Sequence, residues 1–264
     1  MSRLADTFAR LRRDKAPGLV TYVTAGDPDL EASAAIVRAI DAAGADIIEL
    51  GVPFSDPIAD GPVIQRASER ALRAGGSLAR TLALVSALRA DVRAPIVLFT
   101  YANPVLRMGV DAFVTAARAA GVDGALLLDL PLEEAGEFGS TLSASGIDLV
   151  CLLSPTSTPE RIAQAAAAGR GFLYVISRLG VTGARADMAG GAGELVGRIR
   201  SQSDLPIALG FGLSTPAHVR AACEHADAAV VGSALVQTIE RAASAGQDPA
   251  GAAGDFVTWL KTSA

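Results

Sequence analysis

Lysine is nearly missing from this chain. It occurs only at Lys15 and Lys261, near the two ends. Neither falls in a strand-like run, so no lysine is placed to form a Schiff base inside a core. Histidine is as scarce: His218 and His225 lie seven residues apart in one helix-like stretch. That spacing suits neither a His-based catalytic triad nor a zinc site, whose ligands converge from separate loops. The two cysteines, Cys151 and Cys223, sit far apart in a strand-like and a helix-like run. They read as free buried thiols, as expected of a reducing compartment. No run reaches the roughly 18 apolar residues of a membrane span, and the Arg-containing first residues hold no apolar signal-peptide core. The net charge of −5 is not clustered, which leaves no basic patch for nucleic acid or a membrane surface. A cytoplasmic protein without a metal is expected.

Half of the residues are hydrophobic, yet aromatics make up only 5%, so the core must be aliphatic. Short apolar runs at 18–24, 46–50, 95–101, 124–129, 147–153, 172–177, 206–209 and 228–231 read as eight strands. Helical sequence follows each. Leu4, Phe8 and Leu11 define an additional amphipathic helix before the first strand, and two helices, 62–74 and 78–90, follow the second. Ala102-Asn103-Pro104 follows the third strand, and a helix runs over 110–120. Thr158 with Pro159 is a cap and first helical position. A Gly-rich loop over 178–193 precedes a helix over 194–200. Strands apolar throughout are buried on both faces, hence parallel and covered by helices. An open doubly wound sheet is the rival, but eight βα units without a composition break favour a closed (β/α)8 barrel as one domain over 1–264.

In such a barrel the loops after the strands gather at one face, where catalysis occurs. The loop after the second strand, 49–61, is dense in Pro, Gly and Asp and is bracketed by Glu49 and Asp60. Read plainly, Asp60 before Gly61-Pro62 is a helix cap, Asp56 before Pro57 a turn residue, and Tyr22, Tyr101 and Tyr174 core aromatics. Loops at 180–183, 210–212 and 232–233 are rich in glycine, which brings backbone N–H groups close to an anion, and Ser233 stands at a helix N-terminus. Singly they are tight turns; together they suggest a phosphate seat. With lysine, histidine and metal chemistry set aside, carboxylate acid–base work on a small phosphorylated compound remains. Lyase, isomerase and epimerase all stay open on these residues.

The stretch Glu49-Leu-Gly-Val-Pro-Phe-Ser-Asp-Pro-Ile-Ala-Asp-Gly-Pro62 resembles the signature of the tryptophan synthase alpha subunit family. The likeness extends to Thr24-Ala-Gly-Asp-Pro28, Tyr101-Ala-Asn-Pro104, Asp129-Leu-Pro131, Ser177-Arg-Leu-Gly-Val-Thr-Gly183, Gly210-Phe-Gly212 and Gly232-Ser-Ala234. It implies retro-aldol cleavage of indole-3-glycerol phosphate to indole and glyceraldehyde 3-phosphate. By that resemblance Glu49 is the principal acid–base residue and Asp60 stabilises charge at the indole nitrogen. Tyr22, Phe99, Tyr101, Leu126, Tyr174 and Phe211 would form the indole pocket. Gly183, Gly212, Gly232 and Ser233 would hold phosphate. Thr182 would close over the site against Asp56, and Asp56, Asn103 and Pro104 would face a partner. That partner is a beta subunit carrying pyridoxal phosphate, in an α2β2 assembly; no cofactor is implied in this chain.

Overall fold

The computed structural model describes residues 2–176, 185–210 and 212–262. Its strands are β1 (Gly18–Thr24), β2 (Ile47–Gly51), β3 (Ile96–Thr100), β4 (Gly124–Leu127) and β5 (Asp148–Leu149). They continue as β6 (Cys151–Leu153), β7 (Leu173–Ile176), β8 (Ile207–Gly210) and β9 (Ala228–Val231). Every pairing is parallel, in the order β5-β4-β3-β2-β1-β9-β8-β7-β6. The ends of that order, β5 and β6, are separated in the chain only by Val150, whose N–H donates to the carbonyl of Ala125 in β4 at 2.9 Å. The sheet therefore returns on itself as a nearly closed barrel. The expected strand over 147–153 is one barrel position made of two pieces, because Asp148–Leu149 pair with β4 whereas Cys151–Leu153 pair with β7.

Helix α1 (Arg3–Asp14) precedes the barrel, and α2 (Leu30–Ala42), α3 (Pro62–Arg73), α4 (Leu78–Leu88), α5 (Ala102–Met108) and α6 (Val110–Ala120) follow the first three strands. The outer layer continues with α7 (Leu132–Ala144), α8 (Pro159–Ala168), α9 (Arg185–Arg200), α10 (Pro216–Cys223), α11 (Ser233–Ser244) and α12 (Pro249–Thr262). Short polar side chains start several of them: Asp29, Ser77, Thr158 and Thr215 each accept the N–H three residues on.

Asn103 and Pro104 belong to α5, where Pro104 stands in the first turn and its missing N–H has no helical acceptor to satisfy, and Val105 is buried. Two expectations need correction. Helix α9 begins at Arg185 rather than at 194; its alanines favour helix, and Ala192, Leu195, Val196 and Ile199 bury one side. Helix α10 ends at Cys223, so the exposed His225 lies beyond it.

Alternation along the strands divides the core in two. Leu19, Ile48, Leu50, Ile96 and Leu98 pack outward under the helices. Val20, Ile47, Val97, Leu126, Val150 and Ala208 point into the barrel, where Leu4, Phe8 and Leu11 of α1 and Phe172 join them. The rings of Phe8 and Phe172 meet at 5.6 Å. One end of the barrel is thereby plugged with hydrocarbon. At the other end the inward positions two residues further along each strand carry Tyr22, Glu49 and Phe99, and these surround a cavity.

Candidate active site

The cavity measures about 400 Å3 and is lined by Tyr22, Glu49, Asp60, Phe99, Tyr174, Gly212, Gly232 and Ser233, among others. Glu49 is an inward residue of β2, paired across the sheet with Tyr22 and Val97. Its side chain is fully buried, and neither carboxyl oxygen has a hydrogen-bond partner among the described residues. Burial penalises the charged form and pushes its pKa from 4.5 up to about 8. A buried polar group left unpaired costs about 1–3 kcal/mol, so a carboxyl kept in that state calls for a functional explanation.

Asp60 is held from several sides. The Tyr101 hydroxyl accepts the Ala59 N–H at 3.0 Å and donates to Asp60 Oδ2 at 3.2 Å. Gln65 donates to the Asp60 carbonyl at 2.8 Å. The cap of α3 is Gly61, without a side-chain hydrogen bond, which leaves the Asp60 carboxylate free of the capping role. Partial burial raises its pKa to about 6, with the Tyr101 hydrogen bond opposing. The two carboxyls of one cavity thus titrate on either side of neutrality.

Tyr22 and Phe99 meet edge to face at 5.1 Å, and the Tyr22 hydroxyl lies 3.3 Å from Thr24 Oγ1. Burial raises the pKa of both Tyr22 and Tyr174, keeping these phenols neutral. Gly51 makes room for Tyr22: a Cβ there would stand 2.1 Å from its Oη and 2.6 Å from Cζ. Gly51→Ala is therefore expected to destabilise the protein by about 1–3 kcal/mol in urea denaturation. In a Tyr22→Phe background that cost should shrink but persist, because the ring carbon still collides; an unchanged cost would show that the hydroxyl is not the obstruction.

Gly212, with φ of 72°, and the N-terminus of α11 at Gly232-Ser233 converge on the same cavity. The first-turn N–H groups of a helix have no intrahelical acceptor and attract an anion. Leu126 does not line the cavity. It is fully buried in the apolar layer below, and Leu128, two residues further along the same face, lines it instead. Tyr101 contributes through Asp60 rather than as wall. Asp56 is exposed and accepts from Ser55 at 2.5 Å, Asn103 is exposed, and Pro104 is half-buried. Thr182, Gly183 and Phe211 lie outside the described residues.

Several lining residues escape a reading by motif: Leu128, Leu152, Ile176, Val63, Ile64 and Gln237. Leu152 and Ile176 follow from alternation along β6 and β7, and Gln237 stands one helical turn after Ser233 on the same face. Val63 and Ile64 depend on how α3 tilts over the barrel mouth, which no local pattern encodes. Lys15 is exposed and Lys261 pairs with Asp46, which immediately precedes β2 at its N-terminal end.

The sequence profile of the tryptophan synthase alpha chain matches residues 8–257. The chain belongs to the tryptophan synthase alpha family. It is 51% identical over 241 residues to the tryptophan synthase alpha chain of Geotalea daltonii, covering 91% of each. It is 50% identical over 245 residues to that of Burkholderia pseudomallei strain K96243, covering 92% of this chain and 90% of the relative. The crystal structure of tryptophan synthase subunit alpha from Legionella pneumophila superimposes with a TM-score of 0.91 at 35% identity, over 100% of this chain and 98% of that one. A chain of Mycobacterium tuberculosis tryptophan synthase superimposes with a TM-score of 0.89 at 40% identity, over 99% and 98%. The alpha family member is a lyase that cleaves indole-3-glycerol phosphate, requires no cofactor itself and works with a beta subunit. Among the described residues no helix is long and apolar enough to cross a membrane.

Proposed function

We propose that Glu49 and Asp60 carry this chain's cleavage of indole-3-glycerol phosphate. One observation supports the reading above the others: a fully buried, unpartnered carboxyl and a tethered carboxylate line one cavity. Phosphate binds at Gly212, Gly232 and Ser233, together with Gly183. The indole ring lies among Tyr22, Phe99 and Tyr174, and Phe211 belongs to the same pocket. Burial holds Glu49 protonated, and it delivers that proton to C3 of the ring. The ring nitrogen becomes cationic, and the Asp60 carboxylate stabilises it. The new Glu49 carboxylate then takes the proton from the adjacent glycerol hydroxyl. The bond between C3 and the hydroxyl-bearing carbon breaks, its electron pair returns to the ring, and indole and glyceraldehyde 3-phosphate form. Glu49 ends protonated, as it began. The ring serves as electron sink, a role that a lysine or a metal fills in other aldolases.

The chain acts as one domain in the cytoplasm. Its beta partner carries pyridoxal phosphate and joins it in an α2β2 assembly. The loop at Asp56 and the start of α5 at Asn103-Pro104 face that partner, and Thr182 closes toward Asp56. The exposed Ile58, at 87%, and Leu106, at 66%, stand on these two segments and support the docking face. The test is indole release from indole-3-glycerol phosphate with and without added beta subunit. Release is expected from the isolated chain and should rise on addition. No release under either condition would overturn the reaction, and release that ignores the partner would overturn the assembly.

A further inference from the structure

A charged network outside the cavity joins the elements that carry the two halves of the site. Arg70 on α3 donates through Nε and Nη2 to both oxygens of Asp27, at 2.7 and 2.9 Å, and through Nη1 to Glu240 at 2.7 Å. Arg66, one turn earlier, donates to both oxygens of Glu240 at 2.9 and 2.8 Å. Asp27 follows β1 and is 4% exposed, α3 begins directly after Gly61, next to Asp60, and Glu240 belongs to α11, the helix that begins at Ser233. Gln65 ties the same α3 to the Asp60 carbonyl. Two arginines and two carboxylates, supplied by three separate elements, balance one another in charge. Bidentate guanidinium–carboxylate pairs fix orientation as well as distance.

We infer that Arg70 is a positioning residue: together with Arg66, Asp27 and Glu240 it sets the separation between the acid loop of Asp60 and the phosphate seat at Gly232-Ser233. The inference rests on the proposed site. A substrate that reaches from one to the other reacts only if that separation matches its length, and a displacement of about 1 Å far from the chemistry costs on the order of 10²-fold in rate. A ligand that engages only the phosphate seat is indifferent to the separation. None of the four residues lines the cavity.

The experiment compares Arg70→Lys and Glu240→Gln with the native chain in two readouts. One is kcat/KM for indole-3-glycerol phosphate; the other is Kd for glycerol 3-phosphate, a single-ended ligand. Lysine keeps the charge but cannot engage both oxygens of Asp27 while reaching Glu240. The expected result is a fall in kcat/KM of on the order of 10²-fold with Kd changed less than about twofold. Methylguanidinium added to Arg70→Ala should recover part of the rate without changing Kd. Equal losses in both readouts, or undiminished turnover, would overturn the positioning role. If Arg70→Lys does not fold, Glu240→Gln, which alters the outer member, decides by the same criteria. A native chain that releases no indole condemns the reading of the site instead, so the two failures are separable.

Discussion

Glu49→Gln should lower indole release by at least about 10⁴-fold, because one side chain both supplies the proton to the ring and takes the proton from the hydroxyl. Glutamine keeps the shape and can do neither. The proposed phosphate seat at Gly212, Gly232 and Ser233 does not include this residue, so Kd for glycerol 3-phosphate should hold within about twofold. The same substitution makes a prediction about stability. Glu49 has a folded pKa of about 8 against an ordinary 4.5, so folding favours its neutral form. Its contribution is fully present below about pH 4.5 and is lost as pH rises through 8. The uncharged glutamine escapes that loss. Urea denaturation should find the variant and the native chain alike near pH 4.5, with the variant the more stable at pH 8.5. The ceiling on that gap is roughly 5 kcal/mol. An inactive variant with no pH-dependent gain would mean that Glu49 is not the buried, unpartnered acid described above; an active one would end its assignment.

Asp60→Asn is the second large loss, on the order of 10³-fold, the scale of removing one preorganised stabiliser of transition-state charge. Its signature is a pH profile. In the native chain kcat/KM should rise with pH as Asp60 ionises near 6 and fall as Glu49 loses its proton near 8. The substituted amide has nothing to ionise, so the rise on the acid side should vanish while the fall on the basic side stays. A retained acid limb would assign it to another group. Tyr101, which donates to Asp60, should lose its effect on rate in the Asp60→Asn variant.

Much of this was legible along the chain. The run from Gly18 to Thr24 is apolar, bounded by Pro17 and Ala25-Gly26, and it is β1 to the residue. The caps at Thr158 and Thr215 are local chemistry, a hydroxyl beside its own helix, and need no tertiary context. Val150 was not legible as a break, because the change of partner from β4 to β7 is a property of neighbouring strands. Leu126 and Leu128 share a face, and only the depth of the apolar plug decides which of them meets the cavity.

Composition and order alone indicated a barrel of parallel strands, and they pointed to the loop that carries Glu49 and Asp60 and to the carboxylate-based chemistry proposed for it. These rest on periodicity, turn residues and scarcity, which act over a few positions. The tertiary structure alone decided that Glu49 has no partner among the described residues, that Gly61 rather than Asp60 caps α3, and that Arg70 joins Asp27 to Glu240. The members of that last set lie 43 and 170 residues from Arg70. Burial and charge pairing at such separations exist only once the barrel has closed, and the pKa of each carboxyl is set by that closure.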